Sequence, residues 1–362
     1  MSSGNSSRPE RPADLAVVVV TGVSRFLGAQ VAARLAGDPR VGHVIGVDGG
    51  QPPPLLAPLL ERVELVEADL TECATVVSGL DARAVVHLGV VTAPEPAVGG
   101  RAGMKEQNVI GTMQLLAACQ RAPRLGKLVV RSSTAAYGAS FRDPAVFTEE
   151  TEPREVPRGG FARDILDIEG YVRGFRRRCP EVTATVLRLA PLIGPAADTM
   201  LTRYFAQPVV PTVLGRDPRL QFVHVDDALE ILHRSVVEDH PGILNVAGPG
   251  VLTLTQAIRR AGRLPLPVAE PGLSTAAALG KRLGQWGIGL DQVDLFVHGR
   301  VVDTTRLTKE YGISPRTTAE AFADFLRGRG GGRAPLPRER LAAAERAILA
   351  GIAQVRGTGR PG

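Results

Sequence analysis

The sequence predicts an α/β protein: a doubly wound parallel sheet (a Rossmann fold) with a smaller lobe interleaved in its C-terminal half. Three observations support this. Runs rich in β-branched residues, each about one buried strand long, recur along the first half of the chain. Segments with helical periodicity separate them. A glycine turn follows the first run and leads directly into the first helix.

The first unit consists of the run Val17 to Val20, the turn from Gly22 to Gly28, and a helix. A helix that starts at such a turn offers free N–H groups to a diphosphate. The middle glycine of the usual pattern is absent: the position holds Arg25 in the spacing G-x-x-G-x-x-G and Phe26 in G-x-x-x-G-x-G. The turn residues expected at a dinucleotide are Gly22, Arg25, Phe26, Leu27 and Gly28. The alternative is an α/β turn that binds nothing.

The second strand, HVIGVD, ends at Asp48, which lies 26 residues after Gly22. A carboxylate near this spacing accepts hydrogen bonds from the adenosine ribose, so NAD is the expected cofactor. NADP is the alternative, because the Arg25 side chain could contact a 2′-phosphate. A solvated turn at the strand end is the simpler interpretation of Asp48.

The remaining elements alternate in the same way. The sequence predicts strands over 62–70, 84–90, 127–134 and 184–189, and helices over 104–122 and 161–178. Beyond Pro195 the regularity changes, with a return to strand and helix over 222–236 and a short strand within 299–312. We therefore expect a leader (1–13), a dinucleotide-binding domain (14–195), a substrate lobe (196–327, with 222–248 returning to the first domain), and a linker with a C-terminal helix (328–362).

Composition narrows the function classes. The net charge of +6 is scattered and aromatic residues make up 4%, which argues against a nucleic-acid partner. No apolar run approaches the roughly 20 residues that span a bilayer, so no membrane role is expected. The cysteines, Cys73, Cys119 and Cys179, are odd in number and far from any histidine cluster, which favours a reduced cytoplasmic chain without a metal.

Several motifs together, VVVVTGVSRFLG, VEADL, NVIGTMQLLAAC, SSTAAYG, FVHVDDALEIL and LNVAGPG, resemble the extended short-chain dehydrogenase/reductases. The chain is similar over about 15–325 to their NAD-dependent epimerase/dehydratase group, including UDP-galactose 4-epimerase-like members. The resemblance implies a small-molecule substrate, such as a nucleotide sugar, and a homodimer through the helices 104–122 and 161–178.

The resemblance also assigns roles by position. Asp69 and Leu70 would flank the adenine, and Ser133 in SSTAAYG would be the catalytic hydroxyl beside the substrate. The segment from His87 through Leu88 and Gly89 would pass beneath the cofactor, with Asn108 on the central helix nearby. His224 and Asp226 match a corner with a mainly structural role.

The family's tyrosine and lysine, four residues apart, are missing. The phenol would exchange a proton with the sugar, and the lysine would lower the pKa of that phenol. Counting back from Glu169, which matches a family glutamate, the lysine position is Ile165 and the tyrosine position is Phe161. No realignment restores the pair, since no lysine lies between Lys127 and Lys281.

Other groups could replace them. Asp164 and Asp167 are candidate stand-ins on the same helix, although we favour a solvated helix face for both. Pro191 occupies the position of a family asparagine that helps to hold the sugar-nucleotide phosphates. The sequence is thus identified as an atypical member. Two functions stay open: an epimerase or dehydratase with a non-standard or degenerate site, or a non-catalytic dinucleotide-binding sensor or scaffold.

Overall fold

The computed structural model describes residues 15–69, 72, 77, 79, 81–96, 99–157, 160–269, 290–328 and 343. The expected leader, residues 1–13, lies outside these ranges. So do Leu70, Cys73 and nearly all of the expected linker and C-terminal helix.

Thirteen strands lie in the described part of the chain. In order they are β1 (Leu15–Thr21), β2 (Val41–Asp48), β3 (Glu64–Glu67), β4 (Ala84–His87), β5 (Lys127–Ser133), β6 (Thr183–Leu189), β7 (Leu192–Ile193), β8 (Val209–Val213), β9 (Arg219–Leu220), β10 (Val223–His224), β11 (Gly242–Val246), β12 (Leu252–Thr253) and β13 (Leu264–Val268). Seven of them form one parallel sheet in the order β11-β6-β5-β4-β1-β2-β3.

Helices cover both faces of this sheet. The helices of the described residues, including those of the smaller lobe, are α1 (Phe26–Ala36), α2 (Gly100–Lys105), α3 (Thr112–Cys119), α4 (Gly160–Arg178), α5 (Met200–Ala206), α6 (Val225–Val237), α7 (Leu254–Arg260), α8 (Leu290–His298), α9 (Thr305–Tyr311) and α10 (Thr318–Gly328). Apolar side chains of α1 and α6 pack on one face, and those of α3 and α4 pack on the other. The prediction of a doubly wound parallel sheet is therefore confirmed.

The centre of the sheet explains why the valine run forms a strand. Val18, Val19 and Val20 are all fully buried, and their side chains alternate between the two apolar clusters. Since both faces are covered, every position of the strand can be apolar. The parallel strands all end at one edge, and the glycine turn lies at that edge.

Three two-stranded pairings make up the smaller sheets: β7 with β10, β9 with β12, and β8 with β13. A third apolar cluster accompanies them, with Phe205, Phe222 and Phe322 in aromatic contact. This cluster confirms a second, smaller lobe beyond the main sheet.

Two predicted elements differ from the structure. The long helix expected over 104–122 begins earlier, at Gly100, and contains a π-helical turn at Glu106–Gly111. The short strand expected within 299–312 is wrong: Val302 makes a single bridge to Phe147, and α9 follows. The Val302 N–H and carbonyl take no part in that bridge and bind the Gln221 carboxamide instead: Oε1 accepts from the N–H at 2.8 Å, and Nε2 donates to the carbonyl at 3.3 Å.

Candidate functional site

The glycine turn packs against the end of β4 without room for side chains. Gly22 has a φ of +81°, and a Cβ there would lie 2.7 Å from the Gly89 Cα. A Cβ on Gly28 would lie 2.0 Å from the Gly22 carbonyl oxygen. Both positions therefore require glycine for close packing, as expected of a turn that carries a diphosphate.

At the start of α1, no N-cap side chain accepts a hydrogen bond from the free backbone N–H groups. Arg25 precedes the helix in an extended conformation, makes no side-chain cap, and no acidic residue occupies the first turn. Its guanidinium lies 3.6 Å from the Glu95 carboxylate, and both side chains are largely exposed. Leu27 is buried, and Phe26 packs at the edge of the core. This end of α1 is suited to an anion.

Asp48 binds the glycine turn. Its Oδ2 accepts from the Ser24 N–H at 2.9 Å and from the Ser24 hydroxyl at 2.6 Å, and its Oδ1 accepts from the Gly49 N–H at 2.9 Å. A small groove of about 60 Å³ runs beside it between β2 and β3. Asp69 follows β3 and accepts from the Glu72 N–H at 2.8 Å. Leu70 lies outside the described residues.

His87 is the last residue of β4, and its buried imidazole makes two hydrogen bonds. Its Nδ1 lies 2.8 Å from the Thr21 hydroxyl oxygen, and its Nε2 lies 2.8 Å from that of Thr112. Burial, together with the charge of Arg131, lowers the pKa of His87 to about 4. The imidazole is thus neutral at pH 7 and joins β1, β4 and α3. Leu88 beside it is also buried.

Asn108, in the π-helical turn, fixes the loop after β4. Its Oδ1 accepts from the Val91 N–H at 2.7 Å, and its Nδ2 donates to the Val91 carbonyl at 2.9 Å. The same amide donates to the Asp164 carboxylate at 3.1 Å, so Asn108 also holds α4.

Ser133 lies at the end of β5, where its hydroxyl oxygen accepts from the Ala135 N–H at 3.1 Å. The neighbouring Ser132 points the other way and donates to the Glu169 carboxylate at 2.5 Å. Glu169 in turn forms a buried ion pair with Arg188 at 2.6 Å. These contacts position the strand that carries Ser133 against α4 and β6.

The positions expected for the family's tyrosine and lysine hold packed, apolar side chains. Phe161 is 9% exposed, and Ile165 is fully buried in the cluster beneath α4. Asp167 is exposed on the same helix. The interpretation of Asp164 as part of a solvated face is wrong, because its side chain is 1% exposed and both its oxygens bind the guanidinium of Arg101.

Two arginines that the sequence reasoning missed lie at this site. Arg101 on α2 also donates to the Gly160 carbonyl at 2.9 Å, so it ties the start of α4 to α2. Arg131 on β5 donates to the Val90 carbonyl at 3.1 Å. A charged residue directly after the apolar residues Leu128 to Val130 was the available signal for Arg131.

A polar groove of about 290 Å³ separates the loop after the SSTAAYG motif from the segment 297–301. Its charged lining residues are Arg216, Arg219, Arg300 and Asp143, and His298 also lines it. Arg300 also donates to the Gly138 carbonyl at 2.7 Å, which connects this groove to the end of the motif that contains Ser133.

Two further features have structural contacts. Pro191 accepts the Val223 N–H through its carbonyl at 3.1 Å and thereby joins β6 to the smaller sheets. His224 is buried between Asp324 at 3.0 Å and the Asp226 N–H at 3.2 Å.

Within the described ranges no group of three His, Cys, Asp or Glu side chains is arranged to hold a metal. In those same ranges no helix is both long and apolar enough to cross a bilayer.

Comparison with solved structures supports the fold. The UDP-glucose 4-epimerase of Thermotoga maritima, solved with UDP-glucose, superposes with a TM-score of 0.66 at 18% identity, covering 86% of this chain and 98% of that one. MoeE5 in complex with UDP-glucose and NAD gives a TM-score of 0.64 at 19% identity, covering 86% and 98%.

Sequence comparison identifies the family. A Mycobacterium tuberculosis protein named "Uncharacterized protein Rv0501" is 44% identical over 328 residues, which cover 90% of this chain and 86% of the relative. The dTDP-glucose 4,6-dehydratase of Mycolicibacterium smegmatis is 26% identical over 225 residues, or 58% and 65% of the two chains. The profile of the NAD dependent epimerase/dehydratase family matches residues 18–247. The chain therefore belongs to the NAD-dependent epimerase/dehydratase family.

Proposed function

We propose that the chain binds NAD and a nucleotide-sugar-like ligand in one cleft, and that its active site is degenerate, with very slow turnover. The observation that carries the proposal is the combination of a closely packed glycine turn, which keeps Gly22 and Gly28 but not the middle glycine, with apolar side chains at the positions expected for the tyrosine and lysine. A Cβ on Gly28 would overlap the Gly22 carbonyl at 2.0 Å, whereas Phe161 and Ile165 carry no proton to exchange.

The residues present fit a dinucleotide. The turn from Gly22 to Gly28 would hold the diphosphate, and Asp48 would accept from the ribose. The Asp48 carboxylate already accepts three hydrogen bonds, and a carboxylate has about four acceptor sites, so one is left for a hydroxyl. A bound NAD supplies hydride transfer. We expect NAD to bind better than NADP, because the same carboxylate repels a 2′-phosphate.

Few side chains at the proposed site could donate or accept a proton during the reaction. The Ser133 oxygen already accepts an N–H, so its own proton can be donated to a substrate oxygen. Asp164 is held on both oxygens by Arg101 and again by Asn108, so it is not available as a base. General acid–base catalysis contributes about 10²- to 10⁴-fold, and without it we expect turnover to be very slow.

The groove lined by Arg216, Arg219 and Arg300 supports a ligand with a negative charge. A nucleotide sugar carries a diphosphate between two polar ends, and arginine pairs with phosphate oxygens through two parallel hydrogen bonds. The groove adjoins the SSTAAYG segment through the contact of Arg300 with Gly138.

A second candidate is a non-catalytic sensor or scaffold that binds the dinucleotide. The Arg101–Asp164 contact favours it, because the pair ties α2 to α4 at the place where the family would carry out proton transfer. A ligand could then act through the position of these two helices without being converted.

The test has two stages. First, mass spectrometry and near-UV absorbance identify any cofactor carried through purification, and calorimetry compares NAD with NADP. Absence of binding to both would remove the dinucleotide proposal, and tighter NADP binding would reverse the cofactor preference.

Second, steady-state turnover is measured with NAD and a panel of UDP- and dTDP-sugars, with Ser133→Ala as the comparison. We expect negligible conversion by both proteins. Conversion at about 1 per second or faster is in the ordinary enzyme range and would overturn the degenerate-site proposal. Binding of NAD with no conversion of any sugar would favour the sensor or scaffold.

The homodimer stays a prediction of the family resemblance. Ile110 and Met113, on the expected dimer helix, are 37% and 41% exposed, which is high for large apolar side chains. Sedimentation of the wild type and of Met113→Glu measures it: a dimer that the substitution weakens would support this interface.

A further inference from the structure

Arg131 places a positive charge at the edge of the sheet where the cofactor cleft is proposed. It lies two residues before Ser133 on β5, so the two side chains leave the strand on the same face. Its guanidinium donates to the carbonyl of Val90, in the loop that follows β4. The side chain is neither fully buried nor fully exposed.

This charge has no acidic partner among the residues that the structure describes; its one hydrogen-bond acceptor there is the Val90 carbonyl. Burial, together with the charge of Arg25, lowers the pKa of Arg131 to about 10. The group still stays protonated at pH 7. A desolvated cation without a counter-ion costs folding free energy, so such a site is suited to an anion.

The segments around Arg131 indicate which anion it would bind. Arg25 belongs to the glycine turn, and Val90 follows the strand that packs under Gly22. The first turn of α1 adds N–H groups and no acidic side chain. We propose that Arg131 is a positioning residue that binds the diphosphate of the dinucleotide from the β5 side of the cleft, opposite the glycine turn. This inference rests on the proposed dinucleotide binding.

The proposed role of Arg131 also bears on the positive charge of the family lysine, whose expected position in this chain is apolar. The lysine position of the family is Ile165, which is fully buried, and Arg131 is on the neighbouring strand β5. An arginine cannot act as a proton donor at neutral pH, but it can orient a phosphate through its planar pair of N–H groups. Arg131 would thus restore cofactor binding without restoring acid–base catalysis.

Calorimetry tests the proposal with Arg131→Gln, and with Arg177→Gln as the matched control because Arg177 is exposed at the end of α4. The ligands are NAD, ADP-ribose and adenosine. We expect Arg131→Gln to bind NAD and ADP-ribose about 10- to 100-fold more weakly, the range of a charge-assisted hydrogen bond. Adenosine, which has no phosphate, should bind both variants and the wild type equally. Equal NAD affinity in Arg131→Gln and wild type overturns the proposal.

Thermal unfolding without ligand separates this role from a structural one. Removing an uncompensated charge should leave the unfolding temperature of Arg131→Gln equal to or above that of the wild type. A clear decrease in that temperature, with unchanged NAD affinity, would show that Arg131 serves the fold alone.

The same measurements distinguish a failure of the proposed dinucleotide binding from a failure of the role proposed for Arg131. If the wild type binds neither NAD nor ADP-ribose, dinucleotide binding fails, and inorganic pyrophosphate becomes the probe. Pyrophosphate should then raise the unfolding temperature of the wild type and of Arg177→Gln but not that of Arg131→Gln. An equal shift in all three proteins, or no shift in any, rules out Arg131 as an anion ligand.

Discussion

Replacing Glu169 with glutamine removes the negative charge from the buried ion pair behind Ser133. The Glu169 Oε2 accepts from Arg188 Nη2 at 2.6 Å, and its Oε1 accepts from Arg188 Nε at 2.9 Å. Ser132 donates to the same Oε1. The Arg188 guanidinium also stacks over the Tyr137 ring, 4.7 Å from its centroid. One carboxylate thus connects α4, β5 and β6.

The burial of the Glu169–Arg188 ion pair determines how large a loss in the free energy of unfolding we expect from Glu169→Gln. The two side chains are 7% and 2% exposed, so Glu169→Gln leaves Arg188 charged and buried without a counter-ion. Breaking a buried pair in this way costs about 3–5 kcal/mol. The glutamine oxygen can still accept from Ser132, which favours the lower end. The loss is a large part of a typical free energy of unfolding, about 5–15 kcal/mol.

Urea denaturation followed by circular dichroism measures the change. Asp81→Asn is the matched control, because Asp81 pairs with Arg124 while both side chains are more than half exposed. An exposed pair contributes about 0–1 kcal/mol. The double variant Glu169→Gln/Arg188→Met should recover part of the loss, since it removes the unpaired charge. A loss from Glu169→Gln no larger than that from Asp81→Asn would refute the reasoning.

The remaining predictions concern the glycine turn and His87. Gly28→Ala should destabilise the protein by more than about 2 kcal/mol and abolish NAD binding, because its Cβ would lie 2.0 Å from the Gly22 carbonyl. Gly170→Ala, on a helix surface with nothing within 4 Å of the added Cβ, should instead stabilise it by about 0.5–1 kcal/mol. His87 has a pKa of about 4 in the folded protein, whereas an unfolded histidine titrates near 6.5. As the pH falls from about 6.5 to about 4, the unfolded chain takes up a proton that the folded one refuses, so stability decreases by on the order of 1 kcal/mol per pH unit. Urea denaturation at pH 7 and pH 5 should show a shallower decrease for His87→Gln.

Both predictions have clear negative outcomes. Similar stability changes in Gly28→Ala and Gly170→Ala would mean that the turn can open to admit a side chain. Parallel pH dependence in wild type and His87→Gln would mean that the imidazole is protonated in the folded state.

Local sequence determined the strands of the main sheet and the turn that serves the site. The valine run of β1 and the run that ends at Asp48 are buried on both faces, as their composition predicted. Gly22 and Gly28 were identified from their spacing between a strand and a helix, because the positive φ of Gly22 and the approach of Gly28 to the Gly22 carbonyl are properties of a few consecutive residues. The packing of Gly22 against Gly89 depends on the tertiary structure. The run KLVVRSST also placed Ser133 at a strand end, whereas its expected catalytic role and the assignment of Phe161 and Ile165 to the tyrosine and lysine positions came from the family resemblance and stay predictions.

Contacts between distant segments were decided only by the tertiary structure. Helical periodicity gives the angular position of Asp164 on its helix, but its burial depends on Arg101, 63 residues away. The bridge from Val302 to Phe147 likewise joins segments that no local pattern connects. Arg131 appeared in the sequence as a charge directly after the apolar residues of β5, and only the structure showed that it binds the Val90 carbonyl and has no carboxylate partner among the described residues. A side chain's chemistry is local, whereas its burial and its partners depend on how the sheet brings strand ends together.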